Sequence, residues 1–235
     1  MLNWIRSLLF VPGYVVIIFV VSVLGLLIGP FLSFERRFWV PRLTFRLVSF
    51  WLRVCCNIRY EITGVENLPK TPCVLVSNHQ SDWETYALQS LGLGLCTVLK
   101  RELLWIPLFG WALALLEPIA INRGRSVPAS RSVISQGKKR LAAGRSVLLF
   151  PEGTRVLPGQ KVPYRRSGAL LAHAAGVPLV PIAHNAGEHW PGKRFMKTPG
   201  VIKMVIGEPI DTSDKKSEAI HQMSMEWIQK RHAAL

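Results

Sequence analysis

"CVLVSNHQSDWETYALQSL", residues 73 to 91, contains the transition that fixes the fold class. Cys73 to Val76 are apolar without interruption, the pattern of a strand buried on both faces. A polar run from Ser77 to Asp82 breaks that pattern, and helix-forming residues follow from Trp83. A strand that runs through a short loop into a helix is the repeating unit of an α/β protein, and such loops present side chains to a cleft. His79 stands in this loop, with Asp82 three places on and Glu84 five places on.

The alternation continues toward the C-terminus. Besides 73–77, strands are expected at 95–99, 118–121, 146–150, 178–183 and 201–206. Helices are expected over "WETYALQSL", "SRSVISQGKKRLAAG" and "GALLAHAAG", the last two closing on a glycine suited to a C-cap. In "KSEAIHQMSMEWIQKRH", Ile220, Met223, Trp227 and Ile228 share a helical face. No fixed-period repeat interrupts the 235 residues. The expectation is one α/β domain over 60–235, helices packed around a single sheet, preceded by an N-terminal anchor and interfacial helix over 1–59.

Between Arg6 and Glu35 no residue is charged, and "LLFVPGYVVIIFVVSVLGLLIGPFLSF" is longer than the roughly 20 residues that span a bilayer. The run continues past Ser22 and Gly25, where a signal-peptide cleavage site would fall, so a retained membrane anchor is expected. Arg36, Arg37, Arg42, Arg46 and Arg53 follow, opposed only by Glu35, which assigns that side to the cytoplasm. Trp4 and Trp39 lie near the ends, as interfacial tryptophans do. Pro12-Gly13 and Gly29-Pro30 leave both a tilted span and a hairpin within one leaflet open. Beyond them, "FRLVSFWLRVCCNIRYEI" reads as a helix on the membrane surface entering a first strand.

The net charge is +15, with seven cations against one carboxylate in the first 60 residues. A basic chain with an apolar anchor points to anionic headgroups and an anionic substrate. A tethered protein that binds anionic lipid or nucleic acid is the alternative of another class. Cys55, Cys56, Cys73 and Cys96 show no C-x-x-C spacing, so reduced thiols are expected and no metal site.

Two roles compete for Glu84. A carboxylate at fixed spacing can hold one imidazole nitrogen protonated and leave the other as a base. "SDWE" also fits a capping box, with Ser81 as N-cap and Glu84 reaching back to its amide. The two roles are compatible. "FPEGTR", 150–155, ends another buried strand; its glycine lets backbone approach a ligand, and Arg155 offers a forked donor for phosphate oxygens. Arg123 of "IAINRGR" is a second cation at a strand end. No G-x-S-x-G elbow, P-loop or dinucleotide fingerprint is present, and "HNAGEH" (184–189) matches neither zinc-hydrolase pattern.

"NHQSDWE", "INR", "FPEGTR" and "VPIA", in that order, together resemble the glycerolipid acyltransferase family over about residues 60 to 210. "VLKRELLWIPLFGW" (98–111) is similar to the family segment between its first two motifs. The resemblance implies a mixed sheet flanked by helices. It also implies transfer of a fatty acyl group from acyl-CoA or acyl-carrier protein to the sn-2 hydroxyl of lysophosphatidic acid, with no cofactor and no nucleic-acid partner. On that pattern His79 is the base and Glu84 its partner, standing where the family's His-x4-Asp motif has Asp. Arg123, Glu152, Gly153, Thr154 and Arg155 hold phosphate, while Lys100 and Arg165 are additional lipid or donor contacts. Asn122 and "YRRSGA" (164–169) depart from the family pattern, though Arg165 keeps the charge. "LLWIPLFGWALALL" (103–116) is the candidate acyl-chain groove. Another lysolipid, such as lyso-ornithine lipid, is the alternative acceptor.

Overall fold

The computed structural model describes residues 1–122, 129–160 and 162–235. The N-terminal part is helical: α1 (Leu2–Ile28), a short α2 (Phe34–Arg37) and α3 (Trp39–Cys56). Strands and helices then alternate: β1 (Ile58–Thr63), β2 (Val74–Ser77), α4 (Trp83–Ser90), β3 (Cys96–Lys100), α5 (Phe109–Ala114), β4 (Ile119–Ile121), α6 (Ala129–Ala142), β5 (Val147–Leu149), α7 (Ser167–Ala175), β6 (Leu179–His184), α8 (Ala186–His189), β7 (Gly200–Ile206) and α9 (Ser217–His232). Gly144 and Gly176 both take left-handed conformations just past α6 and α7, as C-cap glycines do.

The seven strands form one mixed sheet in the order β1-β7-β6-β2-β5-β3-β4, parallel except where β6 meets β7. The apolar run at β2 is thereby explained: it is central, between β5 and β6, and buried throughout. Alternate residues face opposite layers. Leu75 and Leu148 join Phe10, Phe45 and Leu52 on one side of the sheet. Val74, Val76, Val147 and Leu149 join Ile220 and Ile228 on the other. Val76 pairs with Leu149, so the loops that leave β2 and β5 emerge side by side.

α1 is 27 residues long, about 40 Å of helix, and meets the length and composition of a membrane span. Its two faces differ. Ser7, Phe10, Val21, Ser22 and Gly25 are buried against the protein, whereas Leu9, Val16, Phe19, Val20 and Leu27 are bare. Close packing against α3 requires Gly13, because a Cβ there would lie 2.3 Å from the Trp51 indole. The same indole donates to the Phe10 carbonyl at 2.9 Å. α1 therefore shares its core with one layer of the sheet.

α9 differs from the expected face. Its buried stripe is Ile220, Ser224 and Ile228, and Met223 is exposed. Four-residue spacing aligns that stripe with β6 and α7, and it rotates Met223 outward.

Candidate active site

His79 leaves the end of β2 and stacks on Phe150, which leaves the end of β5, with ring centroids 4.1 Å apart. Its Nδ1 lies 2.8 Å from Glu84 Oε1. That oxygen also accepts the backbone N–H groups of Gln80 and Ser81, both at 2.9 Å. Glu84 is fully buried, and burial alone would raise its carboxyl pKa. The imidazoles of His184 and His79 and the Ser81 amide outweigh burial and hold the group below its ordinary value. An ionised Oε1 accepting two amides requires His79 to donate Nδ1–H, which leaves Nε2 with the lone pair. The bond from the Ser81 N–H to Glu84 is the one expected of a capping box, but α4 starts at Trp83 with Asp82 rather than Ser81 as its N-cap. Ser81 Oγ accepts the Trp83 N–H at 3.2 Å. A single Glu84 oxygen thus braces the loop entering α4 and orients the imidazole.

Glu152 supports the turn from behind. Its Oε1 accepts the His79 backbone N–H at 3.2 Å, and burial pushes its pKa up to about 7. Gly153 has φ +69, and an added Cβ would meet the Arg165 guanidinium at 3.2 Å. Glycine thus permits both the turn and the close approach of Arg165. Arg155 donates from Nε to the Ser81 carbonyl at 3.2 Å and from a terminal nitrogen to Asp82. Asp82, the carboxylate three places past His79, therefore faces Arg155. Burial raises the Asp82 pKa even though Arg155 pulls the other way. Among the described residues no carboxylate is within ion-pair distance of Arg165 or Lys193. Thr154 lines the same recess, and Lys100 stands at its edge, 3.6 Å from Glu102. Arg123 lies outside the described residues.

The histidine turn is also held from β6 by residues that sequence reasoning assigned no role. Asn78 and His184 bond reciprocally: Asn78 Nδ2 donates to the His184 carbonyl at 2.8 Å, and the His184 N–H donates to Asn78 Oδ1 at 3.0 Å. His184 Nε2–H donates to the Asn78 carbonyl at 2.7 Å, while its Nδ1 accepts the Ala186 N–H at 3.2 Å. Burial lowers the His184 pKa against the pull of Glu84. Gln80 Oε1 accepts the Gly187 N–H at 3.2 Å, so its amide nitrogen faces His232 at 3.0 Å. The "HNAGEH" segment is a back-plate to the turn, signalled in the sequence only by its buried polar residues after an apolar strand.

His79, Asp82, Gly153, Arg155, Arg165 and Lys193 line one end of a groove of about 1270 Å³. The rest is mostly apolar: Leu103, Phe109 and Leu113 from the 103–116 segment form one wall, and Ile18 and Val21 of α1 form another. Tyr14 of α1 reaches in, its hydroxyl 2.8 Å from that of Tyr86. An imidazole beside cations, opening on an apolar channel of this size, suits an amphiphile with an anionic head.

Residues 59–185 match the family model described as Acyltransferase. The chain is 42% identical over 235 residues to a 1-acyl-sn-glycerol-3-phosphate acyltransferase of Pseudomonas aeruginosa, covering 98% of this chain and 91% of that one. It is 36% identical over 155 residues to the chloroplastic 1-acyl-sn-glycerol-3-phosphate acyltransferase BAT2 of Brassica napus, covering 64% of this chain and 44% of the plant protein. The fold matches the crystal structure of the 1-acyl-sn-glycerophosphate (LPA) acyltransferase PlsC from Thermotoga maritima, with TM-score 0.81, 23% identity, and coverage of 99% and 95%.

Proposed function

The chain belongs to the acyltransferase family, and from that premise we propose that it acylates the sn-2 hydroxyl of lysophosphatidic acid to give phosphatidic acid. The observation that carries this reading is the 2.8 Å contact between His79 and Glu84 at the cationic end of the apolar groove. His79 Nε2 takes the proton of the 2-hydroxyl as that oxygen attacks the thioester carbonyl of acyl-CoA or acyl-carrier protein. The tetrahedral intermediate expels the thiolate, which recovers the proton from the imidazolium. Glu84 stabilises the imidazolium between these steps. Ester and thiol are formed, thioester and hydroxyl consumed, and no acyl-enzyme intervenes.

Arg155, Arg165 and Lys193 would receive the phosphate, with Gly153 and Thr154 shaping the recess and Glu152 behind it. Arg123 and Lys100 are further candidate contacts. An acceptor lacking phosphate, such as lyso-ornithine lipid, would offer no anion to Arg165 and Lys193, which have no carboxylate within ion-pair distance among the described residues. The apolar helix supports membrane association. Residues 1–59 are read as the anchor and 60–235 as the transfer domain, with the site on the cytoplasmic face of the bacterial inner membrane. α1 is buried along one side from Ser7 to Gly25, which favours a helix embedded in one leaflet beside the domain over a free span.

The test is acyl transfer in detergent from acyl-CoA and from acyl-carrier protein, offered to lysophosphatidic acid and to lyso-ornithine lipid. Wild type is expected to acylate the phosphate-bearing acceptor, and His79→Ala to lose transfer while keeping its melting temperature. Equal use of both acceptors would remove the phosphate assignment.

A further inference from the structure

The segment from Trp190 to Lys197 joins α8 to β7 and is pinned at both ends to α1. Trp190 is buried edge-on against Phe10 and Tyr14, with ring centroids 5.1 and 5.4 Å apart. The Lys197 backbone N–H donates to Ser7 Oγ at 2.8 Å. Its nearly buried ammonium donates to the Phe195 carbonyl at 2.8 Å and lies 5.2 Å from the Phe10 ring. Between the pins, Lys193, Arg194, Phe195 and Met196 are consecutively exposed, Phe195 at 44% and Met196 at 50%.

A single exposed apolar side chain is ordinary. Here, however, the Phe195 ring lies 5.9 Å from that of Trp4, itself 54% exposed. At helical spacing Trp4 shares a face with Leu8, Val15 and Phe19, all exposed, the last two where the rim of the groove opens. The Phe195–Met196 patch is thus continuous with the lipid-facing side of the anchor. A cation followed by two large apolar residues suits the boundary between anionic headgroups and acyl chains.

We propose that residues 193–196 form a second membrane-docking element. Phe195 and Met196 enter an anionic bilayer beside Trp4, and Arg194 meets its phosphates, while Lys193 stays turned to the groove. The element also bears on the chemistry. Gly192, at its base, donates its N–H to the Gln80 carbonyl at 2.8 Å, and a Cβ there would lie 2.2 Å from Arg155 Cδ. Docking therefore seats the backbone that supports the His79 turn and Arg155. The inference rests on the membrane reading of α1 given above.

The test uses nitroxide labels in a Cys55→Ser background, at Met196→Cys, at Phe19→Cys on the anchor and at Lys216→Cys as an aqueous site, in phosphatidylglycerol–phosphatidylcholine vesicles. Oxygen collisions are expected to exceed those of a water-soluble nickel chelate at 19 and 196, and the reverse at 216. A label at 196 that behaves as at 216, while 19 reports lipid, overturns the proposal and leaves the anchor standing. Spin–spin broadening at 196 would assign the patch to a second copy of the chain and also overturn it. Water exposure at 19 would remove the anchor reading and this proposal together. As a functional arm, Phe195→Ser/Met196→Ser is expected to stay within about twofold of wild type in detergent micelles and to fall about tenfold or more on vesicles. Equal activity of variant and wild type on vesicles refutes the coupling.

Discussion

Replacing Glu84 by glutamine separates its two roles, because the amide keeps the shape of the carboxylate and removes its charge. Gln80 and Ser81 point N–H groups at the Oε1 position, so the glutamine oxygen must occupy it and His79 still donates Nδ1–H to it. The loop brace and the tautomer are preserved. The attraction between the carboxylate and the imidazolium that forms during transfer is lost. At an effective dielectric near 20, opposite charges with centres about 4 Å apart attract by about 4 kcal/mol. Converted to rate, that predicts a fall in kcat of roughly a thousandfold. The other oxygen, Oε2, is buried without a hydrogen-bond partner, so the new NH2 finds no acceptor and costs about 1–3 kcal/mol, a melting shift of a few degrees. The assay is acyl transfer to lysophosphatidic acid at saturating donor, alongside thermal melting. A Glu84→Gln enzyme that stays folded and retains a kcat within tenfold of wild type would refute the argument and reduce Glu84 to a brace of the loop entering α4.

Arg155→Ala is expected to raise KM for lysophosphatidic acid by about tenfold or more, and Arg155→Lys to recover little, since a lysine cannot hold Ser81 and Asp82 with a planar fork; full recovery by lysine would contradict this. Glu152 has a folded pKa of about 7, above its ordinary 4.5, so the folded state binds more protons between those values and stability falls as pH rises through that window, by up to roughly 3 kcal/mol. Glu152→Gln should therefore melt increasingly above wild type from pH 5 to pH 8, and a difference independent of pH would show that the carboxyl is not perturbed. Gly153→Ala forces a side chain into φ +69 against Arg165; it should cost about 1–2 kcal/mol and raise KM, seen by melting and kinetics together. Gly13→Ala drives a methyl into Trp51 and should loosen α1 from α3, read as faster proteolysis between the two helices in detergent.

The strand-to-helix rhythm was legible because central parallel strands are apolar on both faces, and β2 to β7 fall within a residue or two of their expected spans. The contact between His79 and Glu84 was legible because they lie five residues apart, where spacing along the chain stands in for distance. The pairing of Asp82 with Arg155 was hidden by the opposite circumstance: 73 residues separate them, and only the β2–β5 register brings them together. Asn78 and His184 meet through the adjacent β2–β6 register in the same way. The buried side of α1 could not be read from periodicity, since nearly every residue from Leu8 to Phe34 is apolar. Its trace lies in small residues, Gly13 beneath Trp51 and Gly25 against Val40.

α1 has two solvents, one on each side. Ile18 and Val21 border the groove, while Val16 and Val20, a residue or two away, are bare. On the proposed membrane reading of α1, exchanging one apolar side chain for another at 16 or 20 leaves its partition into lipid almost unchanged, and such positions are free to drift. The same exchange at 18 or 21 alters the room left for whatever fills the groove. Two neighbouring valines in the most monotonous stretch of the chain thus answer to different constraints, and a chain shortened to begin beyond residue 31 would lose a wall of its groove along with the helix proposed to hold it at the membrane.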